Sequence, residues 1–441
     1  MTMPTQFAWF VGIDWGTASH AVQVLDEAGQ LVASREVEHS GPELARFMAW
    51  LETLCHGQFD GVAAAIETPR GALVETLLER GVTVFSLNPK QLDRFRDRFS
   101  VAGAKDDPLD ALVLASALRT DGARFRRLAI EAPHVIRLRE LTRADAVLAD
   151  EFVALTNRVR ELVHRIAPEW LGLSSSADEP WFWTLLEHIA TPELGRGVRR
   201  RTVERVLREH RIRRWTVDDV FAVLDTETVR VAPGTVDAVT AHLALLLPRV
   251  RLVYEQRQAC ARDLEAVLAE LAQDSGDPPA SPPADATAPD DHFPPNQPHD
   301  VTILRSLPGV GVRVTSTLLA EACALLTSRD YDGLRAVTGV APVRRQTGKN
   351  KRGAVAMRYA CNTRLRDACY HWARVSTSVD TTARAYYGAL RARGHSHGRA
   401  LRSVADRWLR ILIAMLKTKT LYDRARFATP DDSGLQPAVI G

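Results

Sequence analysis

Phe7-Ala-Trp-Phe-Val-Gly-Ile-Asp-Trp-Gly16 is a short apolar run of strand-forming residues that delivers a carboxylate, Asp14, at its end. Trp15-Gly16 breaks the run, and His20 to Asp26 begins a second strand-like segment. A carboxylate at the end of a buried strand is costly unless a metal or a hydrogen-bond network receives it. An Asp that caps a turn is the plainer reading of the same stretch. Working outward, Leu31 to Glu38 reads as a third strand, so an antiparallel meander is expected. Pro42 to Leu54 has helical spacing, and Gly61 to Ile66 is a buried strand followed by Glu67-Thr-Pro-Arg-Gly71. A helix through Leu73, Leu77 and Leu78 leads to a fifth strand, Gly81 to Asn88, and Pro89 opens the next helix. Three strands followed by β-α-β predict an α/β domain with a mixed sheet.

The chain has 441 residues, which implies roughly two to four domains. Apolar and charged contents are ordinary for a globular protein, and no apolar run is long enough to span a membrane. Met1 to Phe7 lacks the basic start and apolar stretch of a signal peptide. Five scattered cysteines without a Cys-x-x-Cys pair argue against a disulfide scaffold and a structural zinc site. A cytoplasmic location is expected. The net charge of +3 is small, so the distribution of charge is more informative than its total.

A helix is expected after Asp107, and two much longer ones over Val135 to Ala167 and Val236 to Leu271, which suggest an antiparallel coiled-coil arm. Between them lies a shorter helical insert rich in arginine, including Arg199, Arg200, Arg201, Arg205 and Arg208. Gln273 to Asp300 holds eight prolines, several Asp and no Lys or Arg, a linker composition that cannot bury a core. A compact helical domain runs from Val301 to about Tyr422, and the last residues read as a loose tail.

Glu67 follows its strand as Asp14 follows its own. Lys105-Asp-Asp-Pro-Leu-Asp110 adds Asp107, placed to cap a helix before Pro108, and Asp110 in the first turn. Asp-Pro-x-Asp is good capping chemistry by itself. Three residues apart at a helix start, however, Asp107 and Asp110 face one side. Two strand-end and two helix-start carboxylates repel one another unless cations intervene, and all-oxygen sites suit Mg²⁺ or Mn²⁺. Such metals stabilise the attacking and leaving oxygens of phosphodiester chemistry.

Ile303 to Glu321 reads as a helix, a turn containing Gly309 and Gly311, and a second helix. The backbone N–H groups of such a hairpin suit a phosphate, although a plain helical hairpin has the same signature. Farther on, Thr347 is a lone hydroxyl among Arg344, Arg345, Lys349, Lys351 and Arg352. An alcohol among cations is a reasonable nucleophile toward a phosphodiester; a basic loop that only grips phosphate fits equally.

The chain resembles a transposase of the insertion-sequence-110 family, related to the Piv-type DNA invertases, over nearly its whole length. The marks are Gly12-Ile-Asp-Trp-Gly16, Ile66-Glu-Thr-Pro-Arg-Gly71, Lys105-Asp-Asp-Pro-Leu-Asp-Ala111, Leu307-Pro-Gly-Val-Gly311 and Gly339-Val-Ala-Pro-Val-Arg-Arg-Gln-Thr-Gly348. The order and spacing of these motifs, rather than any one of them, carry the likeness. It implies a RuvC-like (RNase H-like) nuclease domain over residues 1–125, a helical coiled-coil region with its basic insert over 126–272 and a Pro/Asp-rich disordered linker over 273–300. An all-α transposase domain with a helix-hairpin-helix-like segment then spans 301–425, before a tail over 426–441.

Residue by residue, the family's DEDD tetrad falls on Asp14, Glu67, Asp107 and Asp110, with Mg²⁺ or Mn²⁺ as cofactor. The resemblance also implies a noncoding bridge RNA that pairs with donor and target DNA, and dimers that assemble into a tetramer. The family's nucleophilic serine is Thr347 here, whose methyl group crowds in-line attack. The expected activity is RNA-guided DNA transposition. A metal-dependent, junction-resolvase-like nuclease and an inactive RNA/DNA-binding scaffold are the alternatives.

Overall fold

Alternation along the opening stretch decides which residues meet the helices. A computed structural model describes residues 7–96, 98, 106–189, 191–232, 234–273, 298–347 and 350–424; of Lys90 and of residues 344–347 and 350–355 it describes the backbone only. Most of the expected linker, residues 274–297, and the tail from residue 425 lie outside the described residues. The chain divides into two compact units, residues 1–132 and 133–441.

The first unit comprises β1 (Trp9–Trp15), β2 (Ser19–Leu25), β3 (Leu31–Glu38), α1 (Gly41–Leu54), β4 (Val62–Ile66), α2 (Ala72–Glu79), β5 (Thr83–Ser86), α3 (Pro89–Arg96), α4 (Asp107–Asp121) and β6 (Arg126–Arg127). Its sheet has the order β3-β2-β1-β4-β5-β6. The first three strands pair antiparallel, β4 and β5 join parallel to β1, and β6 closes the edge antiparallel. The mixed sheet and the expected meander are both present. In β1, Val11 and Ile13 point into a core shared with α1 and α2. On β4 the alternate residues Ala63 and Ala65 pack with Val113, Leu114 and Ala117 of α4 on the opposite face. The sheet is therefore covered on both sides, which explains why its central strands read as continuous apolar runs.

The second unit comprises α5 (Pro133–Ile166), α6 (Pro180–His188), α7 (Pro192–Gly197), α8 (Arg200–Glu209), α9 (Val217–Leu224), α10 (Thr235–Gln273), α11 (Asp300–Ser306), α12 (Val312–Thr327), α13 (Tyr331–Val337), β7 (Val343–Thr347), β8 (Asn350–Ala356), α14 (Thr363–Val379), α15 (Thr381–Ala392) and α16 (His397–Thr418). The two long helices run antiparallel: Arg137 pairs with Glu270 at 2.7 Å, and farther along Glu151 pairs with Arg249 at 3.7 Å. The insert folds as four short helices around buried Trp170, Trp181 and Trp183. The last helices pack around Trp372 stacked on Trp408.

Buried Asp145 of α5 accepts from Nε and Nη2 of Arg313 at 2.6 and 3.1 Å, tying the long helices to α12. The expectation of an all-α C-terminal region is corrected, because β7 and β8 form an antiparallel hairpin within it. Its arginines and lysines interrupt any apolar alternation, so the segment reads as a loop although Val343, Thr347 and Val355 all favour strands.

Candidate active site

The strand register brings the first two acids together. Ile13 of β1 pairs with Ile66 of β4 in a parallel ladder, so Asp14 and Glu67 occupy equivalent positions at the same end of adjacent strands. Parallel neighbours lie about 4.8 Å apart, and alternation sends both side chains to the face that carries α4.

That face is unusually close to its helix. A Cβ on Gly12 would fall 1.8 Å from the Ala111 carbonyl oxygen and 2.5 Å from the Ala115 nitrogen, both backbone atoms of α4. The missing side chain lets the helix start sit directly over β1 and sets Asp110 beside Asp14. Asp110 is buried, at 6% exposure, while Asp107 is exposed. One detail differs from expectation. The capping position belongs to Asp106, whose carbonyl accepts the Asp110 N–H at 2.9 Å but whose side chain makes no capping bond. Asp107 is instead the first helical residue, which leaves its carboxylate uncommitted to the cap.

The electrostatics report the convergence. Asp14 is pushed up from 3.8 to about 6, first by burial and then by the negative charges of Asp110, Asp107 and Glu67; the Arg96 guanidinium opposes the rise. Arg96 donates from Nε to Asp110 Oδ1 at 2.6 Å and from Nη2 to Oδ2 at 2.7 Å, with Nη1 on Asp93 at 3.0 Å. Among the described residues no three acidic, histidine or cysteine side chains converge closely enough to share one ion. Both Asp110 oxygens are engaged by Arg96. The donor set nevertheless fits a hard divalent cation, because it consists of oxygens whose mutual repulsion a cation relieves.

Past Asp14, the turn is held by a histidine that the motif reading passed over. The Gly16 N–H donates to Nδ1 of fully buried His20 at 3.3 Å, so His20 Nε2–H donates to His39 Nδ1 at 2.9 Å. Burial and the neighbouring imidazole lower the His20 pKa, which keeps the ring neutral and able to accept. Trp15, 39% exposed, lies against the His20 ring, with centroids 6.1 Å apart. Gly12, His20 and Arg96 thus shape the site without belonging to the acidic pattern.

In the second unit Thr347 is the last residue of β7 and pairs with Asn350 of β8. Arg344 and Arg345 are on the same strand, and Lys351 and Arg352 are on the return strand. Gly348 and Lys349 lie outside the described residues. The predicted glycine turn is present between α11 and α12. Gly309 has φ +81°, and a Cβ there would fall 2.8 Å from the Ser376 nitrogen of α14, so this glycine answers a packing demand. Trp372 Nε1–H donates to the Pro308 carbonyl at 3.0 Å and locks the turn. Gly311 caps α12, is exposed, and has open space where a Cβ would be.

The arginines of the insert divide by their engagements. Arg200 forms an ion pair with Asp218 and lies over the Phe221 ring at 5.2 Å. Arg199, which precedes α8, and Arg201 within it are both exposed.

A transposase family model of the IS110 DEDD type matches residues 11–168, and the model described as "Transposase IS116/IS110/IS902 family" matches residues 301–388. The first span contains all four acids and the second contains Thr347. The chain is 30% identical to the IS117 mini-circle protein of Streptomyces coelicolor, which carries a transposase designation, over 96% of this chain and 97% of that one. It is also 30% identical to the uncharacterized 43.6 kDa protein of insertion element IS110 from the same organism, over 94% and 95% of the two chains. A protein of Sinorhizobium fredii with a transposase designation is 44% identical over 214 residues, which span 48% of this chain and 60% of that relative's length.

Proposed function

The chain belongs to the IS116/IS110/IS902 family of transposases, and from that premise we propose that it moves its own insertion sequence by cutting and rejoining DNA strands. Transposases bind DNA, and DEDD transposases generally use divalent metal ions. The observation that carries the reading is Asp14 itself, which burial and then the crowding by Asp110, Asp107 and Glu67 keep protonated to about pH 6. These four residues are the DEDD tetrad in our reading, and they would hold Mg²⁺ or Mn²⁺. When bound, the ion supplies charge neutralisation at the oxygens of the reacting phosphodiester.

Thr347 is the proposed nucleophile. Its Oγ1 attacks phosphorus and gives up its proton, one phosphorus–oxygen bond breaks, and the released strand leaves as a hydroxyl. A later attack by another strand's hydroxyl on the phosphothreonyl bond restores Thr347. The arginines and lysines of the hairpin, Arg199, Arg200 and Arg201 of the insert, and the Gly309–Gly311 turn contact nucleic-acid phosphates. In the same reading residues 1–125 form a RuvC-like half, 126–272 a coiled-coil region and 301–425 the transposase half. A noncoding bridge RNA supplies sequence recognition, and dimers pair into a tetramer.

The test is to trap a covalent protein–DNA adduct on a suicide substrate. Thr347→Ser retains or raises the adduct and Thr347→Ala abolishes it. An adduct that persists in the alanine variant overturns the assignment. Cleaved ends without any adduct point to a junction-resolving nuclease instead.

A further inference from the structure

Arg96 is the one feature of the acid cluster that a metal site does not require. It ends α3, and its side chain is 15% exposed. Two of its N–H donors close a fork on both oxygens of buried Asp110, and a third reaches Asp93. A carboxylate held at both oxygens by a guanidinium has its charge already neutralised and keeps about half of its lone-pair sites for an ion. A hard dication and this guanidinium therefore compete for the charge of the same two oxygens. The guanidinium fork also matches a phosphate group as well as it matches a carboxylate.

We infer that Arg96 is an internal counter-cation that holds Asp110 until it exchanges that carboxylate for a nucleic-acid phosphate, so that divalent-ion loading is coupled to substrate arrival. Toward the ion Arg96 acts only through Asp110, as a positioning residue. The inference rests on the reading of the acids as a divalent-ion site, and the experiment separates the two.

Mn²⁺ binding to the full chain is followed by electron paramagnetic resonance for the wild type, Arg96→Gln, Arg96→Lys and Asp14→Asn. Folding of each variant is checked by circular dichroism. Without nucleic acid, Arg96→Gln tightens Mn²⁺ binding about tenfold (about 1.4 kcal/mol). Arg96→Lys, a point charge that cannot bridge both oxygens, falls between the two. Asp14→Asn loses the site. A duplex oligonucleotide tightens binding by the wild type but not by Arg96→Gln.

Unchanged or weaker binding by a folded Arg96→Gln, with Asp14→Asn still losing the site, overturns the inference and leaves the metal reading intact. Wild-type binding that Asp14→Asn does not alter overturns the metal reading and the inference together. Should Arg96→Gln fail to fold, Arg96→Lys decides the matter, and a wild-type affinity for it overturns the inference.

Discussion

Replacing Asp14 by Asn removes a charge that the apo site tolerates poorly, and the consequence is measurable as stability. Asp14 holds its proton to about pH 6 rather than 3.8. At 1.36 kcal/mol per pH unit that difference is about 3 kcal/mol, and because the group is only half-buried, solvent screening reduces it to about 1–2 kcal/mol. The sign follows from proton binding. The folded chain holds the Asp14 proton more tightly than the unfolded chain, so this contribution is fully present below pH 3.8 and is lost as pH rises through about 6. An amide does not titrate.

In the presence of a chelator, Asp14→Asn should therefore match the wild type near pH 4. It should gain on it as pH rises, and be more stable by about 1–2 kcal/mol at pH 7.5. Saturating Mn²⁺ should reverse the order, since an ion at a hundred times its Kd adds about 2.7 kcal/mol to the protein that binds it. Denaturant unfolding of the full chain, monitored by circular dichroism across this pH range, gives the comparison. A difference between the two proteins that does not change with pH, or a variant less stable than the wild type at pH 7.5 under chelation, refutes the reasoning.

Gly12→Ala should cost about 3 kcal/mol or more, because the new Cβ meets backbone rather than a yielding side chain, and Mn²⁺ binding should weaken with it; thermal melting and the resonance assay report both. His20→Phe should cost about 1–3 kcal/mol by removing the acceptor of the Gly16 N–H, while also weakening Mn²⁺ binding through the loosened Asp14 turn. Arg199→Ala and Arg201→Ala should each flatten the salt dependence of nucleic-acid binding by about one unit of slope in a log–log plot, whereas Arg200→Ala, already engaged by Asp218, should flatten it less.

Much of the first unit could be read from its residues, because burial of β1, β4 and β5 on both faces writes itself as apolar runs bounded by glycine and charge. Strand β6 could not. Arg126 and Arg127 carry no apolar signal; they pair with Phe85 and Ser86 between the buried Phe125 and Leu128. The meeting of Asp14 and Glu67 follows from parity once the strands are recognised, but the approach of Asp110 depends on Gly12, whose role appears only when α4 is set upon it. Arg96 was illegible for a related reason. Its partner lies fourteen residues away, and no helical or strand spacing couples the two. The hairpin carrying Thr347 was hidden by its own cations, which break the apolar alternation of a strand.

Strand exchange by the purified full chain, on DNA bearing the element's ends and a target, tests the central claim most directly. The RNA transcribed from the element's noncoding flank is supplied or withheld, and Mg²⁺ is present or chelated. The expected recombined product requires Mg²⁺ and the RNA, is lost in Asp14→Asn and Thr347→Ala, and is retained in Thr347→Ser. Undiminished product under chelation, or from Asp14→Asn, contradicts the claim.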